Sequence, residues 1–281
     1  MNYRHGFHAG NAADVFKHYV LCLILASLKT KATPFFVLDS HAGAGGYRLA
    51  PGGEHELGID RLWNRPVPGT TEYLEIVGRH NPRSGRLTRY PGSPLIVRAL
   101  LRPEDRAVFV ERHPEEHNAL RALLGHSRQL SVHLGDGWNL INAFTPPPER
   151  RGLVLIDPPY EQRSDFDRVA QALARGRRHW RAGIYCAWYP IKAESPVRAL
   201  LREIARFAPE ALAIHLYTLP GNVPGRLNGS GLVLINPPWK LRDALSASLP
   251  ALAARLAAED GGGQALITPV GAMPFKLRRH R

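Results

Sequence analysis

The stretch Leu153-Val154-Leu155-Ile156-Asp157-Pro158-Pro159-Tyr160 decides how the chain is read. A short apolar run broken by a turn signal is the pattern of a buried strand in a parallel sheet. Open α/β sheets bind their ligands beyond the carboxyl ends of such strands, so Asp157 and the residues after it stand where chemistry is expected. Two prolines remove two backbone donors and fix two φ angles, which leaves a stiff loop with free carbonyls. A carboxylate, a proline carbonyl and a flat ring suit an amine carried on a planar heterocycle. In that reading Asp157 and the Pro158 carbonyl accept hydrogen bonds from the amine, and Tyr160 stacks on the ring. The plain alternative is a strand-ending Pro-Pro turn.

Working outward, the strands to either side keep the same grammar. Pro34–Asp39 reads as the first strand and runs into Ser40-His41-Ala42-Gly43-Ala44-Gly45-Gly46. That glycine turn permits close approach of a ligand to the backbone, but it lacks the Gly-Lys-Ser/Thr of a phosphate-binding loop. It suits a cofactor without phosphates, such as S-adenosylmethionine. Ala107–Glu111 is the second strand, and a carboxylate at its end is placed to accept the two hydroxyls of an adenosine ribose. Leu130–Leu134 is the third, followed by Asp136, an acceptor for an adenine amine, and Gly137. Further strands are expected at 183–188, 211–219 and 230–236, with helices between most of them. Alternating strands and helices predict a doubly wound α/β fold, and seven strands in this alternation resemble the Rossmann-like sheet of S-adenosylmethionine-dependent methyltransferases, with the last two strands forming an antiparallel edge.

Residues 47–92 interrupt this order. They are rich in Gly, Pro, Arg and Glu, and the next strand comes far later than an unbroken fold would place it. The expectation is a small inserted helical subdomain at 47–92, with 1–46 and 93–281 forming the main domain and its N-terminal arm. Upstream, residues 13–29 read as an almost wholly apolar helix in which Lys17 and His18 are the polar exceptions. Ahead of it, Tyr3, Arg4, His5, Phe7 and His8 form a loop-like arm able to stack on bases and meet phosphate. The basic tail 275–281 is expected to be mobile. A second stretch, Ile235-Asn236-Pro237-Pro238-Trp239, nearly repeats the first. Its late place in the strand order sets it away from the glycines, so Asp157 is preferred.

The formal net charge of +13 on 281 residues points to a polyanionic partner, most simply nucleic acid. Two cysteines, Cys22 and Cys186, offer neither a disulfide framework nor a zinc spacing, and fit a reducing cytoplasm. No metal is expected. The apolar run at 19–26 is too short to span a bilayer, so no membrane association is expected.

The segments Tyr3–Asn11, Asp14–His18, His41–Gly45, Tyr90–Pro94, Ile156–Tyr160, Trp188–Pro190 and Ile235–Lys240 together resemble the bacterial 23S ribosomal RNA adenine-N6 methyltransferase J family, named for the adenine at ribosomal position 2030. The resemblance runs through nearly the whole chain, with Gly46 as a small departure in the glycine turn. It implies an S-adenosylmethionine-dependent methyltransferase that acts on an adenine of 23S rRNA; the base has to leave its stack to reach the pocket, and a monomer is expected. It further implies cofactor contacts at His18, His41, Ser93, Glu111, Asp136, Gly137 and Asp157, and substrate RNA at Tyr3 with Arg4 beside it. Rival readings are a DNA adenine-N6 or cytosine-N4 methyltransferase, a nicotinamide oxidoreductase, and a non-enzymatic RNA-binding protein.

Overall fold

A computed structural model describes residues 5–82, 85–220, 223–258 and 262–272. Five parallel strands build its centre: β1 (Phe36–Asp39), β4 (Arg106–Glu111), β5 (Leu130–Leu134), β6 (Gly152–Ile156) and β7 (Ile184–Ile191). β8 (Leu212–Tyr217), β9 (Gly229–Ile235) and β10 (Gln264–Pro269) extend one side through antiparallel pairings. The order across the sheet is β10-β8-β9-β7-β6-β1-β4-β5. Eight strands therefore replace the seven expected. The additional one, β10, has a half-buried alternation with exposed Gln264 and Leu266, a weaker signal than the solid apolar runs of the central strands.

Side-chain alternation explains why helices cover both faces. In β1, Val37 enters one buried cluster while Phe36 and Leu38 enter the other, and Leu153/Leu155 against Val154/Ile156 repeat this split in β6. The first face carries α2 (Ala12–Lys29), α5 (Ser93–Leu100), α6 (Pro114–Leu124) and α10 (Leu241–Arg255). The second carries α7 (Gly137–Phe144), α8 (Asp165–His179) and α9 (Glu194–Ala205). α2 is buried continuously from Val15 to Cys22, because more than the sheet covers it. Its start is fixed by Asn11, whose side chain accepts the Asp14 amide at 2.9 Å.

The outer cover comes from the segment after β1. A neck of two short antiparallel strands, β2 (Gly46–Arg48) and β3 (Arg89–Pro91), brackets α3 (Ile59–Asn64) and α4 (Thr71–Arg79). Ile59, Leu62, Tyr73, Leu74, Ile76 and Val77 join the same buried cluster as α2. The segment thus has no core separate from that of the sheet. A four-residue helix, α1 (His5–His8), lies just ahead of α2. Tyr3, Arg4 and the tail 275–281 lie outside the described residues.

Candidate active site

Asp157, Asp39, Glu111 and Asp136 stand at or just beyond the carboxyl ends of β6, β1, β4 and β5, which are consecutive in the sheet. At about 4.8 Å between strands, the four ends span roughly 14 Å, the scale of a nucleoside with an amino-acid tail. Parallel pairing and the shift from strand to loop put the four carboxylates at one pole of the sheet.

At β6 the chain turns sharply. Tyr160 sits in the left-handed region at φ 52°, a conformation that costs a non-glycine residue about 1–3 kcal/mol and is maintained only by surrounding contacts. Those contacts are visible. The Tyr160 hydroxyl donates to the Trp188 carbonyl at 2.6 Å, and its ring packs on Phe166 and edge-on to Trp188, with centroids 4.7 and 5.6 Å away. Burial raises the phenol pKa well above its ordinary value, so it remains a donor. Pro158 is buried and Pro159 exposed.

Asp157 is ion-paired to Lys17, which also reaches Asp14 at 3.0 Å. Burial alone would lower the ammonium pKa, but the carboxylates of Asp157 and Asp14 outweigh it and hold the pKa above the usual lysine range. Lys17 is therefore a fixed cation inside an otherwise acidic pole. It was legible in the sequence only as a charge on an apolar helix, and its partner lies 140 residues away. Its Nζ also lies 5.8 Å from the centre of the Trp188 ring.

Next to it, His18 stacks on Tyr90 and shares a 2.7 Å hydrogen bond with the Tyr90 hydroxyl, which meets the Tyr73 hydroxyl at 2.8 Å. Burial depresses the His18 pKa to about 3, so the ring is neutral. The residues 47–92 thus reach the pole through two tyrosines that composition and spacing did not single out.

The remaining predicted residues fall into a connected set. Ser93 donates to the Asp39 carboxylate at 2.6 Å, and Asp39 is buried enough that its pKa rises to about 6. Glu111 accepts the amides of Gly43 at 2.8 Å and His113 at 2.7 Å, so it pins the glycine turn to β4. A carboxylate has about four acceptor positions, and two ribose hydroxyls can still be added to this set. Asp136 caps α7 by accepting the Trp138 amide at 2.9 Å. His41 sits edge-on to Trp138 with centroids 4.8 Å apart, and burial lowers its pKa to about 4. Gly137 has a packing reason of its own: a Cβ there would lie 1.9 Å from the Ser40 carbonyl oxygen, so α7 starts hard against the turn after β1. Gly43 and Gly45 have φ of 61° and 78°, which gives the turn its need for glycine.

The second Pro-Pro stretch is elsewhere. β9 runs antiparallel to β7, so Asn236 follows the pairing of Ile235 with Tyr185, at the beginning of β7 and at the pole opposite Asp157. Its side-chain amide donates to the carbonyls of Arg181 and Gly183 at 2.9 and 2.8 Å. β9 also lies inside the sheet, between β7 and β8. Strand direction, rather than a place near the sheet edge, separates Asn236 from the glycines. Among the described residues no cluster of His, Cys, Asp and Glu has the form of a metal site, and no helix is long and apolar enough to cross a membrane.

Comparison with known proteins agrees with this architecture. The family model described as "Ribosomal RNA large subunit methyltransferase D, RlmJ" matches residues 32–267. Ribosomal RNA large subunit methyltransferase J of Escherichia coli (strain K12) is 41% identical over 264 residues, covering 91% of this chain and 94% of that protein. The protein of that name from Haemophilus influenzae (strain Rd) is 39% identical over 279 residues, covering 96% and 99%. The crystal structure of protein LPL1258 from Legionella pneumophila superposes with a TM-score of 0.84 at 31% identity, covering 93% of this chain and 98% of that one. By its sequence, the chain belongs to the ribosomal RNA large subunit methyltransferase J family.

Proposed function

We propose that this chain transfers a methyl group from S-adenosylmethionine to N6 of an adenine in 23S ribosomal RNA, at the position its family is named for. The observation that carries the reading is Asp157 at the end of β6, beside the central strand β1 and followed by the strained Pro158-Pro159-Tyr160 loop. An adenine amine has its lone pair delocalised into the ring and is a poor nucleophile. Hydrogen bonds to Asp157 and to the Pro158 carbonyl favour a pyramidal amine and stabilise the positive charge that grows as the N–C bond forms and the S–C bond breaks. Such acceptors, fixed in advance, act where charge develops. The Lys17 ammonium orients the carboxylate and favours its charged form, and after transfer the positively charged nitrogen loses its extra proton to solvent.

The residues fit the cofactor's chemistry. Glu111, Asp136 and Asp39 make the pole beside β1 acidic, which favours a ligand with a sulfonium and an ammonium. Glu111 would hold the ribose hydroxyls, Asp136 the adenine amine, and the turn Ser40–Gly46 with Ser93 and His18 the amino-acid end. The bound cofactor supplies an electrophilic methyl; the protein supplies orientation and acceptors. An adenine must leave its stack to reach this pocket, and the aromatic wall of Tyr160, Phe166 and Trp188 offers a replacement surface.

The test is methyl transfer from labelled S-adenosylmethionine to a 23S rRNA fragment, with a DNA strand of the same sequence alongside. RNA should be methylated at adenine N6, and Asp157→Ala should remove the activity by at least about a thousandfold while cofactor binding persists. Preference for DNA, or near-normal turnover by the variant, overturns the reading.

A further inference from the structure

An acidic pocket repels the backbone of the RNA it must receive, so the grip on phosphate has to come from its surroundings. One feature nearby has the right chemistry. A cleft of about 400 Å³ is lined by Arg61, Asn64, Arg65, Ala254 and Arg255, where the last turn of α3 faces the last turn of α10. No carboxylate is among these residues.

Helix ends account for part of this. Both helices end here, and a cation is favoured beside unsatisfied carbonyls. Arg61 behaves in that way, since its Nη1 donates to the Ala257 carbonyl. The other two guanidiniums are not explained so. The Nε of Arg255 is buried and has no hydrogen-bond partner among the described residues, so this guanidinium is not yet satisfied by the chain around it. Holding three like charges around one space is unfavourable until an anion enters it.

The cleft is also at the useful end of the molecule. β9 descends to the pole opposite Asp157, so α10 climbs back toward the pole of Asp157 and ends there. α2 and α10 are joined where the Tyr19 hydroxyl donates to Ser248 at 2.7 Å. Arg255 is seven residues beyond Ser248, about 10 Å further along the axis at 1.5 Å per residue. Lys17, which holds Asp157, precedes Tyr19 by half a turn. The cleft therefore lies at the same pole of the molecule as Asp157.

We propose that Arg65 and Arg255, with Arg61 and Asn64, form a subsite for backbone phosphate of the RNA flanking the target adenine. Planar guanidiniums match phosphate oxygens in pairs, which a scattered set of surface lysines does not. The inference rests on the reading of the chain as an RNA methyltransferase.

The experiment compares Arg65→Gln/Arg255→Gln with Arg175→Gln/Arg178→Gln. The second pair removes the same charge from exposed positions late in α8, which descends from the pole of Asp157. Binding of a 23S rRNA fragment is measured across salt concentrations, together with KM, kcat and S-adenosylmethionine affinity. The cleft variant should bind RNA at least tenfold more weakly than the control. Its log–log salt slope should fall by about 0.7 to 0.9 for each lost phosphate contact. KM for RNA should rise with kcat and cofactor affinity held. Arg65→Lys/Arg255→Lys should restore the slope, which a purely structural role would not predict. Inorganic phosphate at millimolar concentration should compete with RNA for the wild type and not for the Gln variant. Equal affinities and slopes in the cleft and control variants would overturn the subsite. A wild-type chain that shows the cleft-dependent slope but never methylates RNA would overturn the activity and leave the subsite standing.

Discussion

Lys17 is the residue whose surroundings say most about the chemistry. An ammonium held between Asp14 and Asp157 favours the charged form of the second carboxylate and fixes its orientation. An acceptor of that kind suits a reaction in which the amine needs orientation more than deprotonation. Replacing the cation by Lys17→Met removes the Lys17 counter-charge from a half-buried carboxylate. The expected result is a lower kcat, by about tenfold or more, and an acid limb of the pH–rate profile displaced to higher pH, because protonation of the carboxylate is then easier. An unmoved profile would mean that Lys17 is only a strut. The sequence showed Asp157 directly, since its Pro-Pro-Tyr flank is local. It could not show Lys17 as a partner, because a contact between residues so far apart is fixed by the sheet order. Tyr90 escaped for a similar reason: it reaches His18 only after the segment 47–92 folds back over α2.

Single elements explain why the two Pro-Pro stretches differ. The same run of apolar residues precedes each, yet β6 points its end at the glycine turn and β9 points away from it. Direction is invisible in a strand's own composition, whereas the apolar runs that mark the seven expected strands are local. The loop after β9 also carries strain, with Asn236 and Lys240 at φ 53° and 65°. Asn236→Ala removes two hydrogen bonds to backbone carbonyls and should lower stability by about 1–2 kcal/mol, read from denaturant unfolding, while kcat stays near that of the wild type. If turnover falls as far as it does for Asp157→Ala, the wrong loop has been assigned. At the start of α7, Gly137→Ala tests the packing of that helix on the turn after β1. A methyl 1.9 Å from the Ser40 oxygen cannot be accommodated without moving the helix, so S-adenosylmethionine affinity should fall at least about tenfold together with Tm. Unchanged affinity would show that α7 can shift without consequence for the ligand.

For the molecule as a whole, buried histidines set the response to acid. Burial lowers the pKa of His18 to about 3, and of His41 and His215 to about 4, all from an unfolded value near 6.5. Each is neutral when folded and charged when unfolded between those limits, so stability falls as pH drops from about 6.5 toward 4. Asp39 acts in the opposite sense. Its folded pKa of about 6 exceeds its unfolded 3.8, so it binds a proton more readily when folded, and acid relieves its burial cost across that interval. The histidines outnumber it, and the net slope is a loss of roughly 3 kcal/mol per pH unit once unfolded histidines are fully charged. Tm measured from pH 7 to 4.5 should decline steeply, and His215→Gln should make the decline shallower; a flat curve would contradict this account. The fold class was legible because the strands are short solid apolar runs with chemistry at their ends, while β10 and the neck of 47–92 are short, half-exposed pairs without that mark. The order of the strands has one more result, for a chain that emerges from its N-terminus. β1 is made first, but it belongs at the middle, and its flanking neighbours β4 and β6 begin only at Arg106 and Gly152. More than half of the polypeptide must therefore be synthesised before the first strand has both its neighbours. Until then α2, with its buried lysine and apolar flanks, has no finished sheet to rest on, and that interval is when the nascent protein is most open to capture by chaperones or to aggregation.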